Sequence, residues 1–332
     1  EGPHLYRHGG YYYLVTAEGG TGYGHAVTVA RAKDVWGPYE LDPQNPMLTS
    51  RDDPSLRLQK AGHASMVQMQ NGEWLMAHLC ARPVAGKSLT GRETALQPIE
   101  WVDDWPRIKG GGHTPLDAFP SPLEDVSSDV GEEPARDDFS RGLGDYYSYL
   151  RVPTGEDIDV SGGRLRMIGR ETLFSNFRVT LIARRQKESN CAAEAGMIFT
   201  PEKIEHAAGL AYLYNNENFY LLLKTLSGDD GSPVLRLVRS IKGCNWETLA
   251  EIELGPHEEL MLRAENEGLT VRFYYGEDGG SRKEIGEGFD SAFLSDEAAP
   301  GFTGAHFALY CHDAANRGRG AEFTYFEVKC GE

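Results

Sequence analysis

The residues able to move protons or hold a polar ligand are spread over the N-terminal third of the chain. Glu1 opens the loop Glu1-Gly2-Pro3-His4, which leads straight into the aromatic run Tyr11-Tyr12-Tyr13-Leu14-Val15-Thr16. Imidazoles follow at His25 and His63, and a guanidinium at Arg92. By residue type alone each has an ordinary explanation. A terminal glutamate is a solvated charge. His63, in Gly62-His63-Ala64-Ser65 at a strand start, reads as a buried and hydrogen-bonded imidazole. Tyr23 and His25 read equally as rim or core residues. Arg92 beside Glu93 reads as an ion pair, although a planar, permanently charged fork also suits recognition of hydroxyl groups. Asp52, Asp53, Asp103 and Asp104 sit in turn-like contexts and are read as turn residues. Cys80, Cys191, Cys244, Cys311 and Cys330 are widely spaced with no C-x-x-C pair, which argues against zinc. They are read as reduced thiols of an intracellular, cytoplasmic protein, one pair in the C-terminal half excepted.

The elements that must position these residues are strands. Tyr11 to Thr16 suits a pleated, half-buried surface. The following Glu18-Gly19-Gly20-Thr21-Gly22 must turn, and His25 to Arg31 continues as the next strand. Met66–Met69 and Trp74–Leu79 flank Gln70-Asn71-Gly72-Glu73, a hairpin signal. Thr94 to Trp101 is a further strand, with Pro98 expected at an edge or bulge because it cannot donate to a ladder. Short antiparallel units of this kind fit propeller blades, and residues 1–107 have room for two to three at about 40–45 residues each. Residues 108–137 carry Gly110-Gly111-Gly112, four prolines and an acidic stretch from Glu124 to Glu133, and read as an extended connector lying on the surface. From 138 to 332 the pattern is all-β again. Alternation at Leu269, Val271 and Phe273 and the runs Asn218–Thr225, Leu260–Ala264 and Glu322–Lys329 are divided by Gly228-Asp229-Asp230-Gly231 and Asp278-Gly279-Gly280, as in a β-sandwich.

Bulk properties narrow the partners. The chain has 332 residues, 33 Lys plus Arg against 50 Asp plus Glu, and a formal charge of −17. That balance speaks against a nucleic-acid or anionic-membrane surface and is compatible with a neutral substrate. No apolar run of about 18 residues occurs and no signal peptide is visible.

Four segments in order carry a resemblance: Glu1-Gly2-Pro3-His4, Gly22-Tyr23-Gly24-His25-Ala26, Lys60-Ala61-Gly62-His63-Ala64-Ser65 and Gly91-Arg92-Glu93-Thr94-Ala95-Leu96. Together they resemble the family 43 glycoside hydrolases, in particular the two-domain β-xylosidase/α-L-arabinofuranosidase branch, over nearly the whole chain. The resemblance implies the last two to three blades of a five-bladed β-propeller followed by a concanavalin-like β-sandwich. It implies an inverting exo-glycosidase acting on terminal β-D-xylosyl or α-L-arabinofuranosyl residues of xylan-derived oligosaccharides. Such cleavage needs one carboxylic acid to protonate the leaving oxygen and a second carboxylate to activate water.

In this reading Glu1 is the general acid, supported by His4. Arg92 faces the sugar hydroxyls of the −1 subsite, behind a loop from Val84 to Thr90 that is shorter than in many relatives. His63 lies at the propeller axis beneath the sugar. Phe302, in Gly301-Phe302-Thr303-Gly304-Ala305, walls off the pocket, against the alternative of a core phenylalanine in a strand. No cofactor is required. Ca²⁺ at the axis is a candidate, with His63 reaching it through water, because a hard cation prefers oxygen ligands. The family's aspartate base and second, modulating aspartate belong to upstream motifs not found here. A general acid must also hold its proton, which an α-ammonium on the same residue disfavours. The chain is therefore expected to be the C-terminal part of a longer enzyme, or to be completed by a separate upstream propeller segment. A homo-oligomer is consistent with the family. The alternative is a non-catalytic carbohydrate-binding sandwich carrying a propeller remnant.

Overall fold

The computed structural model describes residues 1–122, 133–151, 155–244, 246–277, 279–299 and 301–331. The chain divides into two compact units, 1–129 and 130–332. No helix among the described residues is long and apolar enough to cross a membrane.

Unit 1 runs β1 (His4–His8), β2 (Tyr11–Glu18), β3 (Ala26–Ala32), β4 (Glu40–Leu41), β5 (Leu48–Thr49), β6 (Gln59–Gln68), β7 (Trp74–Ala81), β8 (Glu93–Val102) and β9 (Trp105–Ile108). These make two antiparallel meanders, β1-β2-β3-β4 with β5 beside β3, and β6-β7-β8-β9. They are two propeller blades. Period-two alternation turns Tyr13 and Val15 inward on β2 while Tyr12 and Leu14 take the other face, as strand geometry requires. The inward set meets Ala64 and Met66 of β6, Trp74 and Met76 of β7 and Trp105 of β9 in one core between the blades. The Asn71-Gly72 hairpin forms as expected, with Gly72 at φ +88° and Met69 N–H donating to Glu73 O at 2.8 Å.

Pro98 pairs with Leu75 of β7 but stands one position before the β8–β9 ladder, so at this residue β8 is a local edge. Its carbonyl accepts from Lys109 N–H on the β9 side, and the β8–β9 ladder begins only at Ile99. The missing donor thus falls where that ladder has already ended. Beyond β9 the chain stays on unit 1. Thr49 N–H donates to His113 O, and the Gln97 amide takes both backbone groups of Leu116 at 3.0 and 3.2 Å. The acidic stretch from Glu124 lies outside the described residues as far as position 132, as does Asp278 of the expected Asp278-Gly279-Gly280 turn.

Unit 2 runs β10 (Arg136–Asp137), β11 (Ile158–Ser161), β12 (Arg164–Ile168), β13 (Thr180–Arg185), β14 (Asn190–Ile198), β15 (His206–Leu213), β16 (Phe219–Leu226), β17 (Pro233–Ser240), β18 (Glu247–Glu253), β19 (Leu260–Glu267), β20 (Thr270–Glu277), β21 (Lys283–Glu284), β22 (Phe289–Asp290), β23 (His306–Asp313) and β24 (Gly320–Gly331). One sheet orders β11-β12-β24-β14-β19-β20-β21, with β10 on β24 and β22 on β20, and the other β13-β23-β15-β16-β17-β18. Tyr220 of β16 meets Phe273 of β20 with ring centroids 5.4 Å apart, so this face of the six-stranded sheet looks into the sandwich core. The opposite face carries Ala211, Leu213, Phe219, Leu221 and Tyr310 and is covered by Leu150, Phe174 and Trp246. Burial on both faces explains why β15 and β16 read as continuous apolar runs instead of alternating. Cys191 and Cys330, opposite each other on β14 and β24, form a disulfide. Cys80 and Cys311 are buried thiols and Cys244 an exposed one.

Candidate active site

Glu1 is fixed by its backbone. Its nitrogen donates to Ala17 O at 2.8 Å and its carbonyl accepts from Ala17 N–H at 2.9 Å, pairing the first residue with β2 one position out of the β1–β2 register. Side chains tie the same strand to β6: Ser65 Oγ lies 3.3 Å from His4 Nε2, and Tyr6 O–H accepts from Met66 N–H at 2.8 Å.

β6 itself is irregular here. Its register on β7 shifts between Gln59 and Gly62 and again between Gly62 and Ala64, and Lys60 and His63 take φ values of 56° and 49°. Bulges of this kind re-aim side chains. Glycines then let two imidazoles come close. A Cβ on Gly2 would lie 2.5 Å from His63 Nε2, and one on Gly62 would lie 2.5 Å from the His25 ring. The result is a cluster in which ligand atoms of Glu1, His25 and His63 lie within 4.8 Å of one another.

His25 is 1 % exposed. Its Nδ1 lies 3.1 Å from Lys60 O, and since a carbonyl only accepts, Nδ1 carries the proton. Nε2 is left with its lone pair, buried and without a hydrogen-bond partner. Burial pushes the His25 imidazole below its ordinary value. The bond to Lys60 opposes the shift, the charges of Arg92 and His63 add to it, and Glu1 opposes it. The Arg92 charge therefore acts on this cluster.

Arg92 is not the partner of Glu93. Arg82 takes both Glu93 oxygens at 2.9 and 2.7 Å, and Thr90 donates to the same carboxylate at 3.2 Å. The segment before Arg92 is tight, Val84 and Lys87 exchanging both backbone hydrogen bonds at 2.9 Å around Ala85 and Gly86, which have positive φ. Lys60, whose carbonyl meets His25, reaches Ser88 Oγ at 3.3 Å with its ammonium, which lies 5.2 Å from the Tyr23 ring.

The other sequence candidates fall elsewhere. Asp103 and Asp104 have positive φ and form the β8–β9 turn, where their carbonyls accept from Arg31 and the Asp104 carbonyl also from Tyr13 O–H. Asp52 and Asp53 are loop residues, Asp52 exposed and Asp53 partly buried and bonded to Ser55. Phe302 belongs to unit 2; it lies outside the strands and is 48 % exposed, so it is no core residue. Calcium fits the cluster poorly as a direct ligand set, because two of its three donors are imidazole nitrogens. His25, whose burial and lone-pair orientation nothing in its local sequence announces, is the member that residue types alone left undecided. Its one signal is Gly62, the glycine that makes room for it.

Residues 1–106 match Glycosyl hydrolases family 43, and residues 136–329 match the Beta xylosidase C-terminal Concanavalin A-like domain. The chain belongs to glycosyl hydrolase family 43. A curated relative from Vibrio sp., "Xylan 1,3-beta-xylosidase", is 38% identical over 98% of this chain and 64% of that protein. A "Non-reducing end alpha-L-arabinofuranosidase" from Bacteroides ovatus is 34% identical over 99% of this chain and 62% of that protein. Among solved structures, xylan beta-1,4-xylosidase from Bacillus halodurans superposes with a TM-score of 0.90 at 37% identity, covering 99% of this chain and 65% of that one. This family 43 chain thus spans just under two thirds of the length of these relatives.

Proposed function

We propose that this family 43 chain carries the general acid of an inverting exo-glycosidase that releases terminal β-D-xylosyl or α-L-arabinofuranosyl residues from xylan-derived oligosaccharides. The observation behind the reading is the Glu1 carboxylate held within 4.8 Å of His25 and His63 on a strand pinned at Ala17, Ser65 and Met66. Relatives named as xylosidases and as an arabinofuranosidase support both pentoses.

In this mechanism Glu1 protonates the departing glycosidic oxygen. Arg92 holds hydroxyls of the sugar being released, and His63 lies beneath it. The lone pair of His25 Nε2 accepts a hydrogen bond from a water or from the Glu1 acid. Inversion needs a carboxylate base about 6.5–9.5 Å from the acid, with room for water between. That base and the modulating aspartate come from the part of the relatives' length that this chain does not span. No step is assigned to calcium.

Hydrolysis of xylobiose and of aryl β-xyloside and α-arabinofuranoside tests the reading, with and without the upstream propeller polypeptide. Turnover is expected only in the reconstituted sample. Glu1→Gln should lower xylobiose turnover there by about 10²–10⁴-fold. Turnover by the chain alone would make one of its own carboxylates the base and overturn the assignment of roles.

A further inference from the structure

We infer that unit 1 carries a second sugar site, a non-catalytic cleft beside the β8–β9 turn that takes a short neutral pentose oligosaccharide. The ligand class rests on the proposed function. The cleft itself rests on the structure, and none of Glu1, His25, His63 and Arg92 lines it.

The cleft has a volume of about 470 Å³, in the range of small-molecule sites and enough for about two to three pentosyl units. It is bordered by the loop from Pro43 to Met47, by the segment from Gly111 to His113 and by the turn itself.

Both segments are fixed before anything binds. The Asn45 amide holds both backbone groups of Val29, at 2.9 and 2.8 Å, and Met47 N–H donates to Val27 O at 2.8 Å. The wholly buried carboxylate of Asp42 takes both terminal nitrogens of Arg107 and accepts from Gln44 N–H at 2.9 Å. In the other segment Gly111 N–H donates to Ile108 O and Gly110 N–H to Glu100 Oε1, each at 3.0 Å. Thr49 N–H donates to His113 O at 2.8 Å. Binding here costs little in loop ordering.

The lining selects the ligand. Pro43, Pro46 and Val102 present aliphatic surface for the C–H faces of pentose rings, and Val102 is 45 % exposed, open to whatever enters. Glu100 uses one oxygen on Gly110 and has the other for a hydroxyl, while the exposed Gln44 amide offers a donor and an acceptor. An anion would meet the carboxylates of Glu100 and Asp103, with the Arg107 charge already matched by Asp42. An apolar ligand would cover Glu100 and Gln44 without giving them partners. A small cation would leave the aliphatic surface uncovered. A neutral sugar, with hydroxyls and C–H faces on one small body, satisfies all of it.

Calorimetric titration of the full chain with xylotriose is the test. A binding event is expected that survives Arg92→Ala. Val102→Trp, which fills the cleft from an exposed position, should abolish it. Gln44→Ala should weaken it about tenfold, the worth of one or two lost hydrogen bonds. Because both cleft side chains are exposed, these variants should keep the wild-type melting temperature. Absence of binding at millimolar xylotriose, or wild-type affinity in Val102→Trp, overturns the inference. So does binding that is lost in Arg92→Ala and kept in Val102→Trp, which would put the sugar at the Glu1 cluster. Binding that depends on Val102 alongside failed xylobiose hydrolysis in the reconstituted enzyme would sustain the cleft and remove the catalytic reading.

Discussion

One methyl group separates a working cluster from a displaced one. His25 is closed in on Gly62, where a Cβ would lie 2.5 Å from Cδ2 and Cγ, and the ring has 1 % exposure and so no room to retreat. Gly62→Ala is therefore expected to shift His25 away from Glu1. Overpacking of this kind costs about 1–3 kcal/mol, and a misplacement near 1 Å costs about 10²-fold in rate. A melting curve combined with xylobiose turnover in the reconstituted enzyme checks it; wild-type turnover would mean that His25 only fills space. The neighbouring Lys60 and His63, both non-glycine residues at positive φ, carry strain of about 1–3 kcal/mol each. Such conformations persist where the surroundings impose them, here the paired strands β6 and β7. The motifs marked Glu1 and His63 as candidates, and the structure brings the two into one cluster. That Arg82 takes Glu93 was not legible, because the two stand 11 positions apart and no motif links them.

At the scale of elements, the loop between β23 and β24 shows how a single carboxylate organises a segment. Asp313 is buried and accepts from the backbone N–H groups of Ala315, Asn316, Gly318 and Arg319 at 2.8–2.9 Å. Burial would raise its carboxyl, but these four donors outweigh it and hold Asp313 well below the usual carboxylate range. Asp313→Ala leaves the four donors without their acceptor and should destabilise unit 2 by about 2–3 kcal/mol, lowering its melting temperature by about 5–10 °C. A smaller change than about 2 °C by calorimetry would mean that water replaces the carboxylate. Strand existence was legible for β2, β7, β16 and β20, from alternation or β-branched and aromatic runs. The bulges of β6 were not, since nothing in Gln59-Lys60-Ala61-Gly62-His63 marks a register shift except one glycine.

For the whole molecule, buried histidines set the acid limit. Burial pushes His25 and His78 of unit 1 below their ordinary value, and brings His306 and His312 of unit 2 to about 4. The unfolded chain therefore binds more protons between about pH 6.5 and 4, and stability falls as pH falls through that window. The loss is about 3 kcal/mol for each of the two imidazoles near 4. Denaturant titrations at pH 7 and 4.5 should show it, and His312→Gln should flatten the difference; equal stability at the two pH values would contradict it. The Cys191–Cys330 disulfide acts at the same scale, closing a span of 139 residues by joining two strands that are neighbours only in the fold.

Sequence by itself determined the all-β class, the two kinds of strand unit and the motif that bears Glu1, because alternation, turn residues and short motifs are local properties of a chain. Tertiary structure alone decided that His25 joins Glu1 and His63, that Arg82 takes Glu93, and that Pro43 and Val102 line one cleft. Each of these depends on backbone segments brought together across 10 or more residues of intervening chain, through bulges and glycine contacts that no local pattern encodes.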